Sequence, residues 1–137
     1  MIATTKIKYA MNALVFLAKN KGNVISAKEI SERLNIPKEF ISKILQSLVG
    51  AGIVKSRKGK NGGFVFDHDP EDLFVNQIFN ALDYNAAKNE CWLGLAGKCQ
   101  DSICGLCEEW ERMFSKFEKT IRDISLQTLT ETQFSTY

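Results

Sequence analysis

The stretch SAKEISERLNIPKEFISKILQSLVGAGIVKSRKGKNGGFVF, residues 26–66, constrains the fold more than any other part of the 137-residue chain. Ser26 and Glu29 stand three apart beside an apolar rhythm of Ala27, Ile30 and Leu34, which predicts a short helix opened by a capping box. Asn35, Ile36 and Pro37 then break it. Pro37 suits the first turn of a new helix, because the amide that proline lacks would be unpaired there anyway. In PKEFISKILQSLVGAG, Ile41, Ile44, Leu45 and Leu48 share one helical face. Lys38, Glu39, Ser42, Lys43, Gln46 and Ser47 point the other way, and Gly50 and Gly52 end the helix. Two β-prone runs follow, 53–57 and 64–66, joined by the tip KGKNGG. Two short helices linked by a three-residue turn and followed by a basic, glycine-rich hairpin predict a winged helix-turn-helix.

Charge points the same way. Residues 1–66 hold twelve basic and three acidic side chains, whereas residues 67–137 hold six and thirteen; a surplus of nine and a deficit of seven leave the net charge of +2. Such an asymmetry suits a chain whose first half meets a polyanion. In a winged helix the second of the paired helices lies in the major groove and the wing reaches an adjacent phosphate strand or groove. Candidate contacts with double-stranded DNA are therefore Lys38, Phe40 and Lys43 of the third helix and Arg57, Lys58 and Lys60 of the wing. Glu39 is placed either to accept from a cytosine amino group or simply to be solvated. Solvated lysines on ordinary helices, a phosphate-binding nest at the tip and a protein-interaction module are the competing explanations. The tip lacks the strand-to-helix context and GK[ST] ending of a P-loop, and lysines on both the helix and the wing favour DNA.

A further helix precedes this unit. Thr4 and Thr5 offer caps, Tyr9, Ala10, Ala13, Leu14, Phe16 and Leu17 recur at helical spacing, and the run from Asn20 to Gly22 stops it. Its apolar positions are interrupted by Lys6, Lys8, Asn12 and Lys19, so it resembles neither an export signal nor a membrane span; a cytoplasmic protein with no membrane partner is expected. After the hairpin comes a polar linker, 67–72, with the only histidine, His68, expected to be solvated rather than a ligand. FVNQIFNALD sets Val75, Ile78, Phe79 and Leu82 on one face of a core helix. EEWERMFSKFEKTIRDISLQTL then carries Trp110, Phe114, Phe117, Ile121 and Ile124 at steps of four, three, four and three, a heptad-like seam. Such a seam either packs one helix on its own core or pairs two copies. We expect a homodimer, because winged helices that read DNA specifically pair to meet two half-sites.

All four cysteines fall within seventeen residues, CWLGLAGKCQDSICGLC, at the spacing C-x7-C-x4-C-x2-C. In a reducing compartment clustered thiols are metal ligands or redox groups more often than permanent disulfides. Four soft thiolates suit an iron–sulfur cluster or zinc. The C-x4-C-x2-C run matches plant-type [2Fe–2S] proteins, with the fourth cysteine upstream instead of downstream. Only Cys104 and Cys107 form a C-x2-C knuckle, which weakens zinc, and metal-free redox thiols stay open. An oxidoreductase using the CGLC pair would need a base, nucleophile partner or cofactor fold that the sequence does not offer, so no enzyme is expected.

KYAMNALVFLA, ISAKEISERLNIPKEFISKILQSLVGAGIVKSRKGKNGGF and CWLGLAGKCQDSICGLCEEW together resemble the Rrf-two family of bacterial winged-helix transcription regulators over nearly the whole chain. That resemblance implies a homodimer with crossing C-terminal helices and the cysteine segments near the dimer interface. It also implies that Cys91, Cys99 and Cys104 correspond to the cysteine ligands of cluster-binding members, with Cys107 where such a member has a histidine. The seven-residue first gap and the cysteine at the last position depart from the family pattern, and KIKYAM has no carboxylate of the kind that serves other members as fourth ligand. The expected metal set is therefore Cys91, Cys99, Cys104 and Cys107 around a [2Fe–2S] cluster, with zinc or no metal as alternatives. The expected fold is mainly α with a small β-hairpin wing. It divides into a winged helix-turn-helix over 1–84, a cysteine-rich sensor loop over 85–107 and a dimerisation helix and tail over 108–137. Operator affinity is expected to follow the state of the cysteine loop; the alternative is a metal-free regulator of the same type, controlled by a protein, a metabolite or thiol oxidation.

Overall fold

The computed structural model describes residues 4–83 and 105–132. Helix α1 (Thr5–Lys19) is capped by the Thr4 hydroxyl, which accepts from the Ile7 amide at 3.4 Å. The six consecutive residues from Ala13 to Ala18 are all buried, more than one apolar face would give. The reason is position: α1 lies at the centre, against α2 (Ala27–Leu34) and α3 (Lys38–Gly50) as well as α6 (Leu126–Thr130). A helix covered on several sides is apolar around most of its circumference.

In α2 the Ser26 hydroxyl accepts from the Glu29 amide at 3.1 Å, the N-cap half of the expected box; the return bond from the Glu29 side chain is not found among the described residues. The helix ends on Asn35 in the left-handed region, φ 54°, a conformation that asparagine tolerates better than most side chains. Ser31 holds the turn twice over: its carbonyl accepts from the Ile36 amide at 3.1 Å and its hydroxyl donates to the Ile36 carbonyl at 2.6 Å. Pro37 stands at the N-cap of α3 and not inside its first turn; its carbonyl takes the first helical bond, from Ile41 at 3.1 Å. Ile41, Ile44, Leu45 and Leu48 are all buried, as their spacing predicts.

The hairpin strands are shorter than the β-prone runs. β1 (Lys55–Arg57) pairs antiparallel with β2 (Gly63–Val65) in the register Lys55–Val65, Ser56–Phe64 and Arg57–Gly63. Ile53, Val54 and Phe66 are instead buried in the core beneath the strands. A two-stranded ribbon of this length is marginal by itself, and it gains a third segment from before α2. Ile25 and Phe64 exchange both backbone bonds, at 2.9 and 2.8 Å, and the Gly22 amide donates to the Phe66 carbonyl at 3.0 Å. A Cβ at position 63 would collide with the Ile25 carbonyl, so glycine there is what lets this segment close on the strand.

A 3-10 turn, Pro70–Asp72, leads to α4 (Val75–Ala81), whose Val75, Ile78 and Phe79, with Leu82 beyond it, are buried as expected. The predicted last helix divides in two. α5 (Gly105–Asp123) stops and α6 begins after Ser125, because the intervening backbone is drawn into an extended pairing with the entry to α4. The Val75 amide donates to the Ile124 carbonyl at 2.9 Å and the Leu126 amide to the Leu73 carbonyl at 2.7 Å. The heptad-like seam lies mostly within the chain's own core: Phe114 and Ile121 are buried and Phe117 packs on Phe79 with ring centroids 5.8 Å apart. Residues 105–107, expected at the end of a loop, are already helical. Among the described residues no helix is long and apolar enough to cross a membrane.

Candidate nucleic-acid interface

Burial of the Ile41–Leu48 face leaves the opposite side of α3 in solvent, with Lys38, Glu39, Phe40, Lys43 and Gln46 exposed. Phe40 is the notable member: 58% of it is accessible, in a chain that exposes few large apolar side chains among the described residues. Tyr9 of α1 meets it edge-on with ring centroids 6.3 Å apart, an aromatic geometry that fixes the direction in which Phe40 projects. Helical spacing alone places Tyr9 in the core, whereas it is only half-buried, at the edge where α1 meets α3.

The wing adds Arg57, Lys58 and Lys60, all exposed. The chain doubles back tightly at the tip, where Gly59 has φ 109° and its carbonyl accepts from the Gly62 amide at 3.0 Å. At the root, Lys55 pairs with Asp67 at 2.9 Å, both about half exposed. The hydrogen bond and charge of Lys55, with smaller contributions from Arg57 and His68, hold the Asp67 carboxyl below the usual carboxylate range. His68 Nε2 lies 2.9 Å from the Gly52 carbonyl, and its ring meets Phe66 edge-on at 6.0 Å. A carbonyl only accepts, so Nε2 carries the proton and donates. The histidine expected to be solvated is thus an exposed side chain with a fixed backbone partner.

Sequence spacing therefore locates Lys38, Phe40, Lys43, Arg57, Lys58 and Lys60 on solvent-facing positions of one contiguous unit, and misses the contacts that tie its elements together. Tyr9, Ile25, Asp67 and His68 act across elements, through contacts that no local period encodes. The β-branched pair Val24–Ile25 just ahead of the Ser26 cap is the one available sign of the extra strand pairing.

Of the candidate metal ligands, Cys107 is half-buried in the first turn of α5, and Cys91, Cys99 and Cys104 lie outside the described residues. Among the described residues no group of three or more His, Cys, Asp or Glu side chains is arranged to hold a metal. The donor set itself, four thiolates within seventeen residues, fits an iron–sulfur centre chemically.

The Rrf2 family model, described as an iron-dependent transcriptional regulator, matches residues 3–132. The chain belongs to the Rrf2 family. An rrf2-like HTH-type transcriptional regulator of Rhodobacter capsulatus is 33% identical over 135 residues, 92% of this chain and 90% of that protein. The HTH-type transcriptional regulator NsrR of Bacillus licheniformis is 27% identical over 131 residues, 94% and 92% of the two chains. Among solved Rrf2-type structures, CymR of B. subtilis, the global cysteine regulator, superposes with a TM-score of 0.79 at 23% identity, covering 98% of this chain and 99% of its own. IscR of T. potens gives a TM-score of 0.72 at 25% identity over 94% and 85%. Membership makes the chain a transcriptional regulator of the Rrf2 family, and the winged-helix architecture expected from the sequence is the one observed.

Proposed function

We propose that the protein is a homodimeric DNA-binding regulator in which α3 enters the major groove, the wing contacts phosphate, and the state of the four cysteines sets operator affinity. The observation that carries the DNA contact is the shared solvent exposure of Lys38, Phe40 and Lys43 with Arg57, Lys58 and Lys60, on two elements joined through the same core. Phosphate neutralisation by the wing supplies affinity, and the α3 side chains meet base edges, where Phe40 suits the thymine methyl. Dimerisation is supported by Leu106 and Met113, seven residues apart on α5 and about half exposed, which are left over when the seam packs inward. Two copies would present two α3 helices to half-sites roughly 34 Å apart.

Cys91, Cys99, Cys104 and Cys107 would hold a [2Fe–2S] cluster, which when bound supplies a one-electron and ligand-exchange chemistry sensitive to oxidants and nitric oxide. The chain's own route from that segment to the DNA runs through backbone. Cys107 is in the first turn of α5, α5 packs on α4, and the α5–α6 junction is hydrogen-bonded to Leu73 and Val75, with α6 against α1. A shift at the start of α5 is thereby passed to the helices that carry the reading head. Anaerobically purified protein is expected to be coloured and to contain iron and acid-labile sulfide; colourless, iron-free protein after reconstitution would sink the cluster.

The second reading keeps the head and wing but uses the thiols without metal. It is favoured by the CGLC sequence, in which Cys104 and Cys107 stand three positions apart and Cys107 lies in the first turn of α5. Zinc, the other alternative, predicts metal without sulfide in the same assay.

A further inference from the structure

The wing is useful to a DNA-binding protein only if its angle to α3 is fixed, yet its strands are three residues each and most of its tip is exposed. The Ile25–Phe64 pairing secures the β2 side. We propose that the Lys55–Asp67 ion pair and the His68–Gly52 hydrogen bond form a latch at the open end of the hairpin that sets the wing's angle to α3, making Asp67 and His68 positioning residues for DNA recognition. The latch rests on the DNA-binding reading and names the residues that orient the wing.

The register shows why these two contacts belong together. Continued beyond Lys55–Val65, the antiparallel pairing sets position 53 against 67 and 52 against 68. Lys55 reaches diagonally to Asp67, a separation that long side chains span across a ribbon. His68 bonds the carbonyl of Gly52, which closes the turn after α3; the Gly52 amide itself donates to Val49 at 3.0 Å and the Ile53 amide to Leu48 at 3.0 Å. The chain leaving the wing is thus tied to the C-terminal end of the recognition helix.

Lys55 also differs in kind from the other basic wing residues. Arg57, Lys58 and Lys60 have no ion-pair partner among those found for the described residues, whereas the Lys55 charge is held by Asp67. If Asp67 were only a surface carboxylate near DNA, its removal would free Lys55 and tighten binding to every sequence. The latch predicts the opposite sign for a specific site.

The test is fluorescence anisotropy with two duplexes of equal length, one enriched by the wild-type protein from a random pool and one of mixed sequence. Asp67→Asn should bind the enriched duplex about two- to fivefold more weakly, the range a surface pair can supply, and the mixed duplex no more weakly than wild type. His68→Ala should show the same selective loss and His68→Gln, whose amide can donate to Gly52, should recover it. The exchanged pair Lys55→Asp with Asp67→Lys should recover affinity that Lys55→Asp alone loses. An Asp67→Asn variant that binds the enriched duplex as well as or better than wild type overturns the latch, as does a His68→Gln variant no better than His68→Ala. A wild-type protein that enriches no sequence overturns DNA binding itself, and the latch with it.

Discussion

The first two helical turns of α3 and the middle of α5 are both amphipathic helices with charged outer faces, and they have opposite fates. On α3 the apolar face goes into the core and the polar face, with Phe40 among it, is left for a partner. On α5 the apolar seam, the feature most like a meeting surface in the sequence, is largely absorbed by α4 and the core of the same chain. Helical period identifies which side is apolar; it does not identify which molecule covers that side. What distinguishes the two helices is the residue that breaks the pattern, an exposed aromatic on α3 and exposed Leu106 and Met113 on α5.

The largest effects should come from opening the core at its two ends. Phe66→Ala beneath the wing and Phe114→Ala on α5 should each lower unfolding free energy by about 3–5 kcal/mol in denaturant titrations. The Phe114→Ala deficit should be the same at low and high protein concentration; a deficit that grows as concentration rises would return the seam to a partner chain. Gly63→Val comes next, since its side chain must displace the Ile25 backbone: a loss of about 1–3 kcal/mol is expected, read from the same titration.

Leu106→Glu with Met113→Glu probes the exposed stripe of α5. Light scattering should show monomer in place of dimer, with the circular dichroism of the fold retained, because neither side chain is in the core. Removing charge at Lys58 or Lys60 is gentler. Each substitution by alanine should reduce the magnitude of the slope of log affinity against log salt by about one, and weaken all duplexes alike. An unchanged slope would take the wing off the DNA.

The smallest effect concerns pH. The Asp67 carboxyl is held below its ordinary value, chiefly by Lys55, so the folded state binds that proton less readily than the unfolded chain. Its stabilisation is complete above the ordinary carboxylate value and is lost as pH falls through the lowered one. Melting curves taken through the acidic range should show a slightly smaller loss for Asp67→Asn than for wild type.

Much of the head was legible because its signals are local. Ser26 caps α2 from within one turn, the Asn35–Pro37 break is contiguous, and the KGKNGG tip can only be a turn. The hidden part depends on pairs distant in sequence: Ile25 with Phe64, Lys55 with Asp67, His68 with Gly52, and Leu73 with Leu126. The break at Ser125 illustrates the difference. The sequence there continues an acceptable helix, and only the backbone bonds offered by residues 73–75 make the extended alternative better. For the candidate metal site the sequence remains the main source, since of its four thiols only Cys107 is among the described residues.

The two regions are joined by the proposal that the cysteine segment leading into α5 governs what α3 and the wing do. That link is tested by measuring affinity for the enriched duplex at fixed salt with anaerobic protein before and after iron and sulfide loading, alongside Cys107→Ala. Loading should change wild-type affinity by about fivefold or more, the scale of coupling between linked sites, and leave Cys107→Ala unresponsive. Equal wild-type affinity with and without iron would contradict the account.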